Sequence, residues 1–321
     1  MYTFKNQDYV NYIINQTKTH NIDNITRTHA YQNFYYHFPE IKWAFVASIV
    51  SRNAGWNMTD LKLIPFKKLL GKTERSRLFM TYERANWLIF SDAYPQLLTY
   101  KLSCKLHKPM FHLLSDFHVS TYMQKEWSYF WEFRDLERLM TALIINEQNV
   151  IHEPVLKQSF FSVHIFKDLP YRLQNMMYMN AVILPSKTQP LYGAFVHNFT
   201  HLSNRIALGK HLASIIYKTE HYSDLVNFTQ TERHSGSRWD YEKYLELPFP
   251  KGPTLQKIYP PITHQDIIRN DWYKSRGVKK KWIDHSNSRL KTNIGKSFYR
   301  KRTFLFTYVS LKDQLLPKNN V

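Results

Sequence analysis

Between Leu136 and Ile151, the residues Leu136, Leu139, Met140, Leu143 and Ile144 recur at three- and four-residue steps. That spacing builds one face of an α-helix, and Pro154 stops it. Asn146 and Glu147 continue the same stripe, so periodicity turns both inward, within the stretch INEQN that also holds Asn149. A carboxylate buried alone is costly or keeps its proton. Glu147 is therefore expected to have a cationic partner or several hydrogen-bond donors.

Helical punctuation runs through most of the chain. A short amphipathic helix is expected around Tyr9 to Ile14. Thr26 or Thr28 is a candidate cap for a helix ending before Pro39, and Pro39 and Glu40 open the next, with Ile41, Phe45 and Ile49 on one face. Arg75 to Phe90 reads as a helix, and Pro95 as a first-turn residue of its successor, 93–106. Ser120 caps a helix through Phe133. Further helices are expected near Tyr192 to His201, Arg205 to Tyr217 and Ser223 to Thr231. Only 8 glycines occur, too few for a fold of many tight turns. The reading is all-α: a multi-helix globular domain with a basic C-terminal extension. It divides into a polar lead-in (1–24), a helical domain (25–246), a proline-rich connection (247–264) and the extension (265–321).

Charge singles out that extension. The formal net charge is +19, and residues 265–321 carry 14 basic against 4 acidic side chains. Lys and Arg alternate there with Trp272, Tyr273, Trp282, Phe298 and Tyr299, the residue types that neutralise phosphates and stack on bases. Nucleic acid is thus one expected partner, through 265–321. A single cysteine, Cys104, permits no internal disulfide. Neither a secretory leader nor an apolar run of membrane-spanning length is evident, so a cytoplasmic location with no membrane span is expected.

Polar residues recur on other apolar faces. Asn86 lies between Tyr82 and Phe90, Arg52 and Asn53 end the Ile41–Phe45–Ile49 stripe, and Arg238 and Asp240 flank Trp239 in a glycine-containing turn. The stretches VSRNAGWNMTDLK, ERANWLIFSDAYPQLL, ALIINEQN and SGSRWDY together resemble the YppC-like family of uncharacterised proteins from Bacillus and its relatives. The resemblance covers most of 25–245 and leaves the basic extension outside. It implies a domain of unknown function, and no catalytic residue can be carried over from it.

Two readings of these polar residues stand beside the nucleic-acid one. In the first they line one cleft for a small anionic or sugar-like ligand, with hydrolysis as one use. Arg52, Arg84 and Arg238 would clamp the anion, because guanidinium forks suit carboxylate and phosphate. Asn53, Asn57, Asn86, Asn146 and Tyr241 would add hydrogen bonds, and Trp56, Trp87 and Trp239 stacking walls. Glu83 is a further carboxylate there, and Glu147, Asp92 and Asp240 are the candidate catalytic acids or bases. In the second reading the network only fixes helix packing. No cofactor is expected. LLGKT (69–73) and IGKS (294–297) lack the phosphate-loop glycine five residues before Gly71 and Gly295, where Phe66 and Leu290 stand. His197 and His201 have a metal-ligand spacing but no third ligand, so no metal site is expected.

Overall fold

The computed structural model describes residues 6–157, 178–187, 191–196, 199–246, 248–266, 268–284 and 293–315, with side chains of 156–157 and 312–315 excepted. Helices dominate these residues. The first seven are α1 (Asn6–His20), α2 (Asn24–His37), α3 (Lys42–Asp60), α4 (Ile64–Leu69), α5 (Lys72–Leu106), α6 (Thr121–Phe133) and α7 (Leu136–Val150). A 3-10 segment, Phe111–Phe117, precedes α6, and a π turn, His152–Lys157, follows α7. A two-stranded antiparallel hairpin, β1 (Ala181–Leu184) and β2 (Tyr192–Phe195), comes next. Then come α8 (Leu202–Tyr217), α9 (Tyr222–Thr231) and four one-turn helices: α10 (Trp239–Glu242), α11 (Leu255–Ile258), α12 (Trp272–Arg276) and α13 (Lys280–Ile283). The last is α14 (Gly295–Leu315). The all-α class holds, with one small hairpin added.

Local chemistry explains several of the helix ends. Ser120 Oγ accepts from the Met123 amide and caps α6, as its position predicts. Asp135 caps α7 in the same way. The expected Thr26 or Thr28 cap of α2 is corrected. Asp23 is the cap, and Thr26 sits three residues on as the returning member of a capping box.

Three other expectations change. The helix after Pro39 starts at Lys42 rather than at the proline. The helix expected near Tyr192–His201 is instead strand β2, because Leu191, Gly193 and Ala194 bury against the body of the protein while Ala181–Leu184 supplies the pairing edge. The helices 75–90 and 93–106 are one 35-residue helix, with Pro95 in its interior. A proline there removes the amide that would bond to the carbonyl four residues back. That carbonyl, Ser91 O, instead accepts from Arg269 Nη2 at 3.4 Å. An arginine from outside the helix replaces the missing donor.

The main core gathers α1, α2, α3, the second half of α5, α6, α7 and α8 around Trp43, Phe45, Phe90, Trp127 and Leu143. Trp272 and Trp282, both beyond residue 264, belong to the same core. A second cluster, with Trp56, Phe66, Tyr178, Tyr241 and Phe298, packs α14 against α3 and α4. Among the described residues no helix is long and apolar enough to cross a membrane.

Candidate functional site

The polar side chains do not gather at one point. Arg52, Asn86, Glu147 and Arg238 share no hydrogen bond or ion pair with one another among the described residues. They fall into separate groups, each with its own chemistry.

The first group lies between α2 and α5. Arg27 Nη2 and Glu83 Oε2 form an ion pair at 2.5 Å, both side chains almost wholly buried. His264 Nε2 lies 3.3 Å from the other Glu83 oxygen, and its ring packs tilted against that of Trp87, centroids 5.1 Å apart. Burial opposes ionisation of Glu83, but Arg27 and His264 outweigh it and hold the carboxyl below its usual range. Arg84 sits half-exposed over Trp87 and donates to the Gln265 carbonyl. Asn86 is half-buried and donates to the carbonyl of Tyr82 within its own helix.

The second group surrounds Asp240. Its carboxylate accepts from Ser235 Oγ at 2.5 Å and from Trp56 Nε1 at 3.2 Å, and lies 3.5 Å from His234 Nδ1. His234 Nε2 meets Asn24 Oδ1 at 2.8 Å. Burial pushes the His234 imidazole down to about 4, so it is neutral at pH 7. Gly55 of α3 lies against this pair. A Cβ there would collide with Asn24 Oδ1 and stand 2.9 Å from His234 Nε2. Gly→Ala inside a helix ordinarily stabilises by up to about 1 kcal/mol. Here Gly55→Ala is expected to destabilise by about 1–2 kcal/mol, an overpacking cost readable in a urea melt.

Arg52 is fully buried on α3. It donates to Gln32 Oε1 and the Glu232 carbonyl, both at 3.1 Å, over the Phe228 ring. With no carboxylate in contact, desolvation lowers it to about 10. Asn53 clamps the hairpin: its amide donates to Ile183 O at 2.7 Å and its oxygen accepts from Ile183 N at 2.8 Å. Beyond it, Arg238 reaches Asp60 at 2.5 Å, Asn57 Oδ1 at 2.6 Å and Tyr241 Oη at 3.2 Å. Every one of these side chains is buried. Asn53, Asn57 and Arg238 bond to groups of the protein itself, whereas Arg52 bonds through Nη2 alone and its Nε and Nη1 have no hydrogen-bond partner among the described residues.

Glu147 is half-buried. It accepts from Trp43 Nε1 at 3.0 Å and from Gln148 Nε2 at 3.0 Å. Two donors, rather than an arginine, meet the expectation for this residue. Burial raises its carboxyl to about 7 against the opposing pull of those donors.

The last group opens to a cleft. Asp92 Oδ2 accepts from Asn146 Nδ2 at 2.6 Å and from Gln96 Nε2 at 2.7 Å. Asn146 Oδ1 in turn accepts from Ser120 Oγ and from Trp272 Nε1, at 3.0 and 2.9 Å. Gln96 Oε1 takes the Trp127 indole N–H at 2.8 Å. Burial raises the Asp92 carboxyl, although Arg269, Asn146 and Gln96 pull against it. Beside this network lies a cleft of about 850 Å³ between α5, α7 and the segment 268–276. Asp92, Ser120 and Asn149 line it from one side; Arg269, Lys274 and Arg276 line it from the other.

Four buried polar atoms of the lining residues have no hydrogen-bond partner among the described residues: Asn149 Oδ1, Arg269 Nε, Arg269 Nη1 and Arg276 Nη1. Arg269 stands 3.7 Å from Asp92 and 3.6 Å from Asp266, ion-pair reach only. Arg276 Nη2 pairs with Glu153 at 2.8 Å. Buried polar groups are ordinarily satisfied, so unpaired ones beside a cavity mark a place where an outside group fits.

Of the candidate site residues, Asp92 and Asn146 belong to this network, and Asp92 lines the cleft itself. Glu147, Asp240, Arg52, Asn53, Trp56, Asn57, Glu83, Arg84, Asn86, Trp87, Arg238 and Tyr241 do not line it. Arg269, Arg276, Gln96 and Ser120 were missed as site residues. Gln96 had a legible signal, standing one helical turn after Asp92. The arginines had none, because a basic extension does not announce where it docks. Trp272, Trp282 and Phe298 are buried, so packing has already taken three of the aromatic side chains expected to stack on bases. His197 lies outside the described residues. Among those described, no three His, Cys, Asp or Glu side chains gather where a metal ion could sit.

A family model described as "Protein of unknown function (DUF2515)" matches residues 19–297, which takes in the segment 268–276 and the helices α2 to α13. The chain is 47% identical over 266 residues to "Uncharacterized protein YppC" of Bacillus subtilis (strain 168), covering 83% of each chain. No solved structure matches. The chain therefore belongs to the DUF2515 family of proteins of unknown function.

Proposed function

We propose that this protein binds a small anionic ligand that also carries hydroxyl or amine donors, in the cleft between α7 and the segment 268–276. One observation carries the reading: Arg269, Arg276 and Asn149, each of which holds a buried nitrogen or oxygen with no hydrogen-bond partner among the described residues, line the same cavity. Guanidinium N–H groups left open suit a phosphate or carboxylate. The Asn149 oxygen suits a ligand hydroxyl or amine. Lys274, exposed on the rim, adds a point charge. The acids nearby are already engaged. Asp271 accepts from Thr121 Oγ1 and the Tyr273 amide, and Asp92 accepts from two amides. The function is one of binding; Asp92 is the candidate acid that borders the ligand space.

The test is a thermal-shift screen of the purified chain against inorganic phosphate, sugar phosphates, nucleotides and small di-carboxylates. A true ligand at about 100 times its Kd stabilises by about 2.7 kcal/mol, several degrees in Tm. Lys274→Ala with Arg276→Gln is expected to remove most of that shift while leaving the ligand-free Tm within about 2 °C, since surface pairs contribute little. A panel in which nothing stabilises the parent, or a double variant that responds like the parent, ends the reading.

A further inference from the structure

Helix α14 shows two faces. Phe298, Arg302, Leu305 and Val309 are buried against the body of the protein, at steps of three and four. On another face Phe304, Tyr308 and Leu311 are 59%, 47% and 50% exposed, again at steps of four and three. These three side chains form one solvent-facing apolar stripe, with the Phe304 and Tyr308 rings 6.3 Å apart. Lys296 and Arg300 stand exposed, and Lys301 half-exposed, on the same helix. From 295 to 315 the sequence holds five Lys and Arg against one acid, Asp313.

A docked helix has no reason of its own to leave such a stripe in water, because burying a large apolar side chain contributes roughly 1.5–3 kcal/mol. Its occupant must take apolar side chains into a medium whose rim is negative. A second copy of this chain fits poorly. A two-fold contact would bring together two copies of a helix with five Lys and Arg against one acid, in a protein whose formal charge is already +19. An anionic lipid surface supplies both requirements: acyl chains for the stripe and headgroup phosphates for the flanking bases. We infer that α14 is a membrane-surface element, lying in the plane of an anionic bilayer with Phe304, Tyr308 and Leu311 inserted and Arg300 and Lys301 at headgroup level. The inference is independent of the cleft, which is built from other residues.

Co-sedimentation with vesicles tests it. The full chain is expected to pellet with phosphatidylglycerol–phosphatidylcholine vesicles and to remain in solution with pure phosphatidylcholine. Binding is expected to weaken when salt rises from about 0.1 to 0.5 M. The variant Phe304→Ser/Tyr308→Ser/Leu311→Ser changes exposed positions only, so its circular dichroism and Tm are expected to match the parent. Its partitioning is expected to fall at least about tenfold. Arg300→Glu is expected to weaken binding without altering the stripe. Equal binding to neutral vesicles overturns the inference, as does a triple variant that binds like the parent, which would leave diffuse charge as the whole attraction. Absence of vesicle binding also overturns it; concentration-dependent dimerisation lost in the triple variant would then assign the stripe to a second copy.

Discussion

Arg238→Ala is expected to destabilise the protein by about 3–5 kcal/mol, the usual cost of removing one partner of a buried ion pair. Five contacts place this residue at a junction. It pairs with Asp60 at the end of α3, bonds Asn57 one turn earlier and Tyr241 in α10, and faces the rings of Tyr178 and Phe298. Truncation leaves Asp60 buried with its charge uncompensated and opens a void beneath α14. Burial by itself would lower the Arg238 pKa, but Asp60 raises it above the ordinary arginine value, so the guanidinium stays charged. Against a typical total stability of about 5–15 kcal/mol, such a loss removes much of the margin. A double variant separates charge from packing. Adding Asp60→Asn to Arg238→Met is expected to recover at least about 1 kcal/mol relative to Arg238→Met alone, because the stranded charge is gone. Urea melts of the four proteins give the cycle. A cost below about 1 kcal/mol for Arg238→Ala would show that the junction is solvated in solution.

Glu147→Gln is expected to stabilise the protein at pH 8 and to leave it unchanged at pH 4. The folded carboxyl titrates near 7, against an ordinary value of 4.5. Below 4.5 both folded and unfolded states hold the proton, and the residue contributes no pH dependence. Between 4.5 and 7 the unfolded chain releases its proton while the folded one keeps it, so stability falls as pH rises. Above 7 both are ionised and the penalty is constant. At about 1.4 kcal/mol per pKa unit, and discounted because Glu147 is only half-buried, the penalty is about 2–3 kcal/mol. Gln keeps an acceptor for Trp43 Nε1 and removes the charge. The Tm difference between variant and parent is expected to open between pH 4.5 and 7 and then stay flat. A variant less stable than the parent at every pH would mean that the carboxylate is held by more than its two neutral donors.

Residues close in sequence carried their own explanation. The period of Leu136–Ile151 turned Asn146 and Glu147 inward, and the structure buries the first and half-buries the second. Ser120 before the run 121–133 announced a cap, because an N-cap needs only the two or three residues after it. Asp92 and Gln96 were within reach of the same logic, one turn apart on one helix. Pro95 misled for a physical reason. Local rules end or kink a helix at an interior proline, and only the tertiary contact from Arg269 to Ser91 O shows how one helix runs through it. Tyr192–Phe195 misled likewise, since a four-residue strand is specified by its pairing edge rather than by its own pattern.

By itself the sequence determined the helical class, the inward-facing polar residues of α7 and the surplus of positive charge near the C-terminus. Those are consequences of period, capping and composition, which act within a few turns of chain. Only the tertiary structure decided which buried polar group meets which. It separated Arg52, Glu147 and Arg238 into different networks, and it carried Arg269, Trp272 and Arg276 across more than a hundred residues to the side of Asp92 and Asn146. A buried charge requires a partner but does not specify its address, because any donor of suitable reach lowers the cost of burial; packing chooses among them.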